Sequence, residues 1–222
     1  MSTVAATALI IFAKAPVAGE SKTRLIPLLG EEGAVQAHEE LVRRVLAEVS
    51  PLASDTSEFM ACLWGASAHP TLGAWADEYG LSSQLQANGD LGQRMAHALE
   101  SSLGAGAEQA ILIGSDCPEM NAAYIRDAKT ALAEADLVLG PAEDGGYVLI
   151  GINNTPALAE AYKALFTDVD WGSNRVLQQT VAKANVAGLT VALLDPRWDV
   201  DRPADWQRYL HLKNSTATGR LR

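Results

Sequence analysis

Apolar positions fall along the chain in two kinds of run, and the two kinds alternate. Short unbroken stretches, ALIIF (8–12) and AILIG (110–114), have the character of strands buried on both faces of a parallel sheet. EFMACLW (58–64), a brief stretch at 82–87, DLVLG (136–140), GYVLIGI (146–152) and TVALLD (190–195) read as further strands. Between them, apolar residues recur at helical spacing. Ala34, His38, Leu41, Val42, Val45, Leu46 and Val49 make one face of a helix that begins near Glu31 and is closed by Pro51. Glu31 and Glu32 suit its positive end. Helices are also predicted at about 70–79, from Asp90 as cap to about Leu103, at 121–134, 156–165 and 173–186, and after Pro203. Strands alternating with helices predict an α/β fold, with a mostly parallel central sheet and helices on both faces.

Ligands of such sheets bind beyond the carboxyl ends of the strands. Four polar segments sit there: 13–25, 115–119, 141–146 and 195–201. The first, AKAPVAGESKTRL, sets Lys14, Lys22 and Arg24 against the single acid Glu20. A basic, glycine-bearing loop leaving a strand is a candidate phosphate cradle, because backbone amides and fixed cations neutralise a polyphosphate. Its alternative is an ordinary solvated loop. It is not a Walker A loop, since no glycine precedes the lysine.

The other three segments supply acids. Asp116, in Ser115-Asp116-Cys117-Pro118, either binds a hard divalent ion such as Mg2+ or caps a helix starting near Pro118. Glu143-Asp144-Gly145-Gly146 is either a ligand loop or a hairpin turn, with Asp144 placed to hold an acceptor or complete a metal site. Tyr147 beside it suits stacking or packing. Asp199 and Asp201 fall on one side of an extended segment, and Asp201 is the one favoured to reach a metal, against local capping of the helix after Pro203. Trp171 is an aromatic platform for a ring or a buried packing residue. Cys117 reads as packing, since no histidine lies in its motif.

The chain of 222 residues carries 48% apolar residues and a formal charge of −10. That composition predicts a packed globule and argues against nonspecific binding to nucleic acid or anionic membranes. Its two cysteines, Cys62 and Cys117, form no metal-ligand spacing and no disulfide framework, which fits a reducing cytoplasm. No apolar run reaches membrane-spanning length, and the N-terminus lacks the basic start of a signal peptide. Residues 1–213 are expected to form a single domain, with 214–222 a frayed polar tail. Oligomeric state is left open.

FAKAPVAGESKTRL, GDLGQRM, IGSDCPEM, LGPAEDGGYVLIG, the Trp171 segment and DVDRPADW together resemble the DUF2064 family of the GT-A superfamily of nucleotide-diphospho-sugar transferases. The first block also resembles the loop of guanylyltransferases acting on phospholactate or phosphoenolpyruvate. The resemblance spans about residues 8–206 and implies a GT-A three-layer sandwich. It implies that Lys14, Gly19, Lys22 and Arg24 hold nucleotide phosphates, that Gly89, Leu91, Gly92 and Arg94 border the base or ribose, and that Asp116 binds Mg2+ or Mn2+. Only one acid of the superfamily's Asp-x-Asp pair is present. The chain also has Trp171-Gly172-Ser173 where members tend to show Trp-Ser-Thr, and Arg202 where a threonine is usual.

Three functions are compatible with these residues. The favoured one is nucleotidyl transfer from an NTP to a small phosphorylated acceptor, releasing pyrophosphate, with Lys22 and Arg24 on the leaving group. The second is glycosyl transfer from a nucleotide sugar, with Asp144 or Glu143 as acceptor base. The third, a non-catalytic nucleotide-binding protein, leaves the clustered acids unexplained. The site would therefore take a nucleotide donor and a small-molecule acceptor.

Overall fold

The computed structural model describes residues 7–55, 58–155 and 159–219. One interior strand is β1 (Thr7–Ala13), buried at every position. Around it lie β2 (Phe59–Gly65), β3 (Ser82–Leu85), β4 (Gln109–Gly114), β5 (Leu137–Pro141), β6 (Tyr147–Asn153) and β7 (Val191–Leu193). They form one seven-stranded sheet in the order β3-β2-β1-β4-β6-β5-β7. Every pairing is parallel except those of β6, which runs antiparallel to β4 and β5. The cause is local: residues 142–146 are too few for a crossover, so β6 must turn back on β5.

Among the described residues eight α-helices follow the expected alternation: α1 (Ile26–Val49), α2 (Pro51–Asp55), α3 (Pro70–Glu78), α4 (Leu91–Gly104), α5 (Ala122–Ala131), α6 (Ala159–Leu165), α7 (Val176–Val186) and α8 (Pro203–Gly219). Gly30, with φ 71°, kinks α1, and the long part beyond it starts where the apolar stripe starts. Pro51 opens α2 instead of simply closing α1; a missing N–H is harmless in a first turn. The start of the helix expected at 156–165 lies outside the described residues, and α6 is its remainder. The expected frayed tail is corrected in part: α8 runs on through residue 219, while 220–222 lie outside the described residues.

Strand alternation sends Leu9, Ile11, Ile111 and Ile113 to one face, packed on α1, α3 and α5. Ile10, Phe12 and Leu112 go to the other, against α4, α6 and α7. A third cluster joins Leu25, Ala34 and Leu41 to Trp198, Val200, Trp206 and Tyr209. It fastens the segment before α8 across the carboxyl ends of β1 and β4. Among the described residues, no helix is long and apolar enough to cross a membrane.

Candidate active site

The loop after β1 is built around a buried serine. Ser21, 2% exposed, donates its hydroxyl to the Ala15 carbonyl (2.8 Å) and accepts from the Val17 amide (3.0 Å). The next residue, Lys22, takes the left-handed conformation (φ 47°), which costs a non-glycine residue about 1–2 kcal/mol. In return its ammonium passes beneath the loop. Nζ donates to Asp116 Oδ2 at 3.0 Å and to the Val200 carbonyl at 2.5 Å, and the lysine side chain is 9% exposed. One cation thus ties together the β1 loop, the end of β4 and the segment before α8. Arg24 pairs with Asp201. His38 on α1 donates from Nε2 to the Lys14 carbonyl (3.0 Å), and burial pushes its imidazole below its ordinary pKa.

Asp116 does not cap a helix. Asn121 does, accepting from the Tyr124 amide at 3.0 Å. Burial pushes the Asp116 carboxyl up, but the Lys22 ammonium more than reverses this and holds it below the carboxylate range. Backbone alternation buries Trp198 and Val200 and turns Asp199 and Asp201 to the opposite side. The Val200 amide donates to the Asp116 carbonyl (3.0 Å), which sets Asp199 facing Asp116 and Asp144. Burial, then the charges of those two carboxylates, push Asp199 up to about 7. Asp144 accepts from the Gly146 amide through Oδ1 (2.8 Å), the turn geometry typical of aspartate.

These groups line one cleft with two lobes. The larger, about 480 Å³, is walled by Lys14, Lys22, Arg24, Arg94 and Gln86 together with Asp116 and Asp201. Arg94 donates to Gln86 Oε1 (3.1 Å), and the Gln86 amide nitrogen donates to the Trp64 carbonyl (2.8 Å), so the guanidinium is held over the lobe. The smaller lobe, about 210 Å³, is walled by Asp116, Asp144, Asp199, Gly146, Ser173 and Trp171. Leu91, Met95, Asp116 and Tyr147 border both, so the lobes are continuous.

Of the residues singled out in the sequence, the cleft brings together Lys14, Lys22, Arg24, Leu91, Arg94, Asp116, Asp144, Gly146, Trp171 and Asp201. Other expected site residues are elsewhere. Gly19 (φ 78°) and Gly89 (φ 124°) shape turns and are not on its walls. Gly92 is on neither wall: a Cβ there would stand 2.7 Å from both the Phe166 carbonyl oxygen and the Trp171 ring, so the glycine seats that tryptophan on α4. Glu143 is held by Arg208 of α8 (2.7 and 3.0 Å), off both walls. Gly145 (φ 93°) accepts the Leu177 amide at 2.9 Å and stitches the β5–β6 turn to α7. Burial pushes the Cys117 thiol up to about 12, which leaves it an inert packing group.

Asp201, favoured from sequence as the second metal ligand, is occupied by Arg24; Asp199 is the acid that faces Asp116. Gln86 carried no sequence signal, and His38 lay hidden in a helical stripe. The donor set suits a hard divalent ion. Asp116, Asp144 and Asp199 offer only oxygens, and their mutual repulsion is offset only in part, by Lys22 and at longer range by Arg24. No group of three acidic, histidine or cysteine side chains converges into a complete cage among the described residues. An ion here would therefore draw its remaining ligands from phosphate and water, as Mg2+ commonly does.

The family described as "Uncharacterized protein conserved in bacteria (DUF2064)" matches residues 51–173. A crystal structure of a protein from Desulfovibrio desulfuricans G20, provisionally assigned as a nucleotide-diphospho-sugar transferase, is 28% identical, with 88% of this chain and 82% of that one covered and a TM-score of 0.77. The fold is shared with 4-diphosphocytidyl-2C-methyl-D-erythritol synthase of Anaerococcus prevotii (11% identity, 93% and 96% covered, TM-score 0.60). It is shared as well with glucosyl-3-phosphoglycerate synthase of Mycobacterium tuberculosis, solved with Mn2+ and UDP (12%, 90% and 74%, 0.57). No curated protein sequence matches the chain significantly.

Proposed function

Because the chain belongs to the DUF2064 family and has the GT-A-type fold, we propose that it is a nucleotide-dependent transferase that moves a nucleotidyl group from an NTP to a small molecule. The observation that carries this reading is the division of charge within one cleft. Four cations, Lys14, Lys22, Arg24 and Arg94, line the larger lobe against the acids Glu20, Asp116 and Asp201, so the lobe keeps a net positive charge that suits a polyphosphate. The acids Asp144 and Asp199 line the smaller lobe.

Lys22 and Arg24 neutralise the charge that builds on departing pyrophosphate. The Val200 carbonyl and Asp116 together keep the Lys22 ammonium in place. Asp116 and Asp199 would hold Mg2+ or Mn2+, which when bound polarises the phosphoryl oxygens. Arg94, fixed by Gln86, orients the donor on the far side, and Leu91 and Met95 exclude water from the junction of the lobes. The crystal structure holding Mn2+ with UDP supports the ion on this fold.

Glycosyl transfer from a nucleotide sugar is the second reading. It is favoured by the assignment of the Desulfovibrio protein and by Trp171 standing beside the acids as a platform for a ring. A thermal-shift panel with Mg2+ separates the two. NTPs are set against UDP-, GDP- and dTDP-sugars at concentrations well above their dissociation constants. Stabilisation by one NTP over its diphospho-sugars, with pyrophosphate released on turnover, is the expected result. Preference for a nucleotide sugar over its NTP shifts the assignment to glycosyl transfer, and no response to any nucleotide removes both.

A further inference from the structure

The smaller lobe is chemically unlike its neighbour. Of its described lining residues none is a lysine or arginine, whereas Asp144 and Asp199 both face it. The cations nearby in the fold are engaged elsewhere. Arg175 pairs with Asp170, Arg208 with Glu143, and the Arg197 guanidinium lies 4.4 Å over the Tyr124 ring. Lys22 serves Asp116, and Arg24, whose charge reaches Asp144 and Asp199 from the larger lobe, is held by Asp201. A divalent ion on Asp116 and Asp199 would have its charge answered by those acids and by the donor phosphates, which leaves Asp144 facing the lobe. A phosphate brought there would meet like charge with no cation on the lobe's own wall to offset it.

What the lobe does offer is an apolar wall and a hydroxyl acceptor. Trp171 stands edge-on to Tyr147, with ring centroids 6.5 Å apart and planes at 83°, and Val176 continues the wall. Asp144 is oriented by its bond from the Gly146 amide to Oδ1, which leaves Oδ2 for a proton donor. The volume, about 210 Å³, is smaller than a drug-sized pocket and limits the lobe to one small compound.

We infer that this lobe is an acceptor subsite for a neutral polyhydroxy compound, a sugar or polyol that reacts through a hydroxyl, and not for a phosphorylated acceptor. The inference rests on the transferase reading above and narrows its acceptor. The hydroxyl oxygen forms a bond to the α-phosphorus, the bond from that phosphorus to the β-phosphate oxygen breaks, and its electron pair leaves with pyrophosphate. The hydroxyl proton passes to Asp144. The C–H face of the compound packs on Trp171.

The test is saturation-transfer NMR on the whole chain with Mg2+ and the NTP that stabilises it. The probes are myo-inositol, mannose and glycerol, each in competition with its own monophosphate. Transfer to at least one neutral compound, at least five-fold above that to its phosphate, is expected. Trp171→Ala should abolish it, and Ser173→Arg, which brings a cation into the lobe, should turn the preference towards the phosphate. Preference of the unaltered protein for a monophosphate, or no transfer to any probe, overturns the inference. The thermal shift with the NTP is read on the same samples. Its retention beside a monophosphate preference spares the transferase reading, and its absence removes that reading instead.

Discussion

Lys22 Nζ lies 3.0 Å from Asp116 Oδ2, closing a contact between residues 94 positions apart across the carboxyl ends of β1 and β4. The lysine is almost wholly covered and the aspartate is 40% exposed. The pair is thus neither a surface salt bridge nor a fully buried one. It acts as a strut that sets one of the cleft's acids against the cationic loop.

Lys22→Met should strip Asp116 of its partner and leave the Val200 carbonyl without its ammonium. Because Asp116 keeps some water, the cost to stability is about 1–2 kcal/mol, below the 3–5 typical of a fully buried pair. Chemical denaturation would measure it. Calorimetry with the stabilising NTP should show affinity lower by about 1.5–3 kcal/mol, the worth of a charge-assisted hydrogen bond. Unchanged affinity would take Lys22 out of the donor site and leave it a purely structural strut.

Asp116 and Asp199 should behave alike towards metal, and Asp201 differently. Asp116→Asn and Asp199→Asn are each expected to weaken Mn2+ binding at least ten-fold, by electron paramagnetic resonance titration. Asp201→Asn frees Arg24 and should leave Mn2+ binding within two-fold. A loss in Asp201→Asn equal to the other two would restore Asp201 as a ligand.

Gly92→Ala should injure Trp171 and little else. The new Cβ would meet a backbone carbonyl oxygen and an indole ring at 2.7 Å, and neither is a flexible chain end. A destabilisation of about 1–3 kcal/mol is expected from such overpacking, with a change in tryptophan emission. Nucleotide affinity should stay within two-fold. A loss of affinity with Trp171 unmoved would put Gly92 back on the nucleotide.

His38 sets an acid limit on stability. Burial lowers its pKa in the fold, so below about pH 6.5 the unfolded chain takes up a proton that the folded chain resists. Its contribution is fully present above pH 6.5 and is lost as pH falls from there towards the depressed folded value. His38→Gln, which keeps a donor for the Lys14 carbonyl but does not titrate, should flatten this part of the stability profile. Parallel profiles for the two proteins between pH 7 and 5 would contradict it.

The layers of the fold and its polar ends follow from local pattern in the sequence alone. Its apolar runs have the continuity of strands covered on both faces, and its stripes have helical period. Both are properties of neighbouring residues, so β1, β4 and α1 could be read directly. The four loops at strand ends were legible for the same reason, and with them Lys22, Arg24, Asp116 and Asp144. Pairing between distant segments was not. That Asp199 and not Asp201 faces Asp116 depends on the bond from the Val200 amide to the Asp116 carbonyl, which joins residues far apart in the chain. That Gly92 serves Trp171 depends on how closely α4 meets the loop before α7. Glu143 looked like Asp144 in sequence, yet Arg208 on α8 draws it away, because a helix placed by the third apolar cluster brings that cation alongside. Local pattern fixes which surface a residue shows. Which partner answers it is decided only when the sheet is assembled and the charges must be balanced across it.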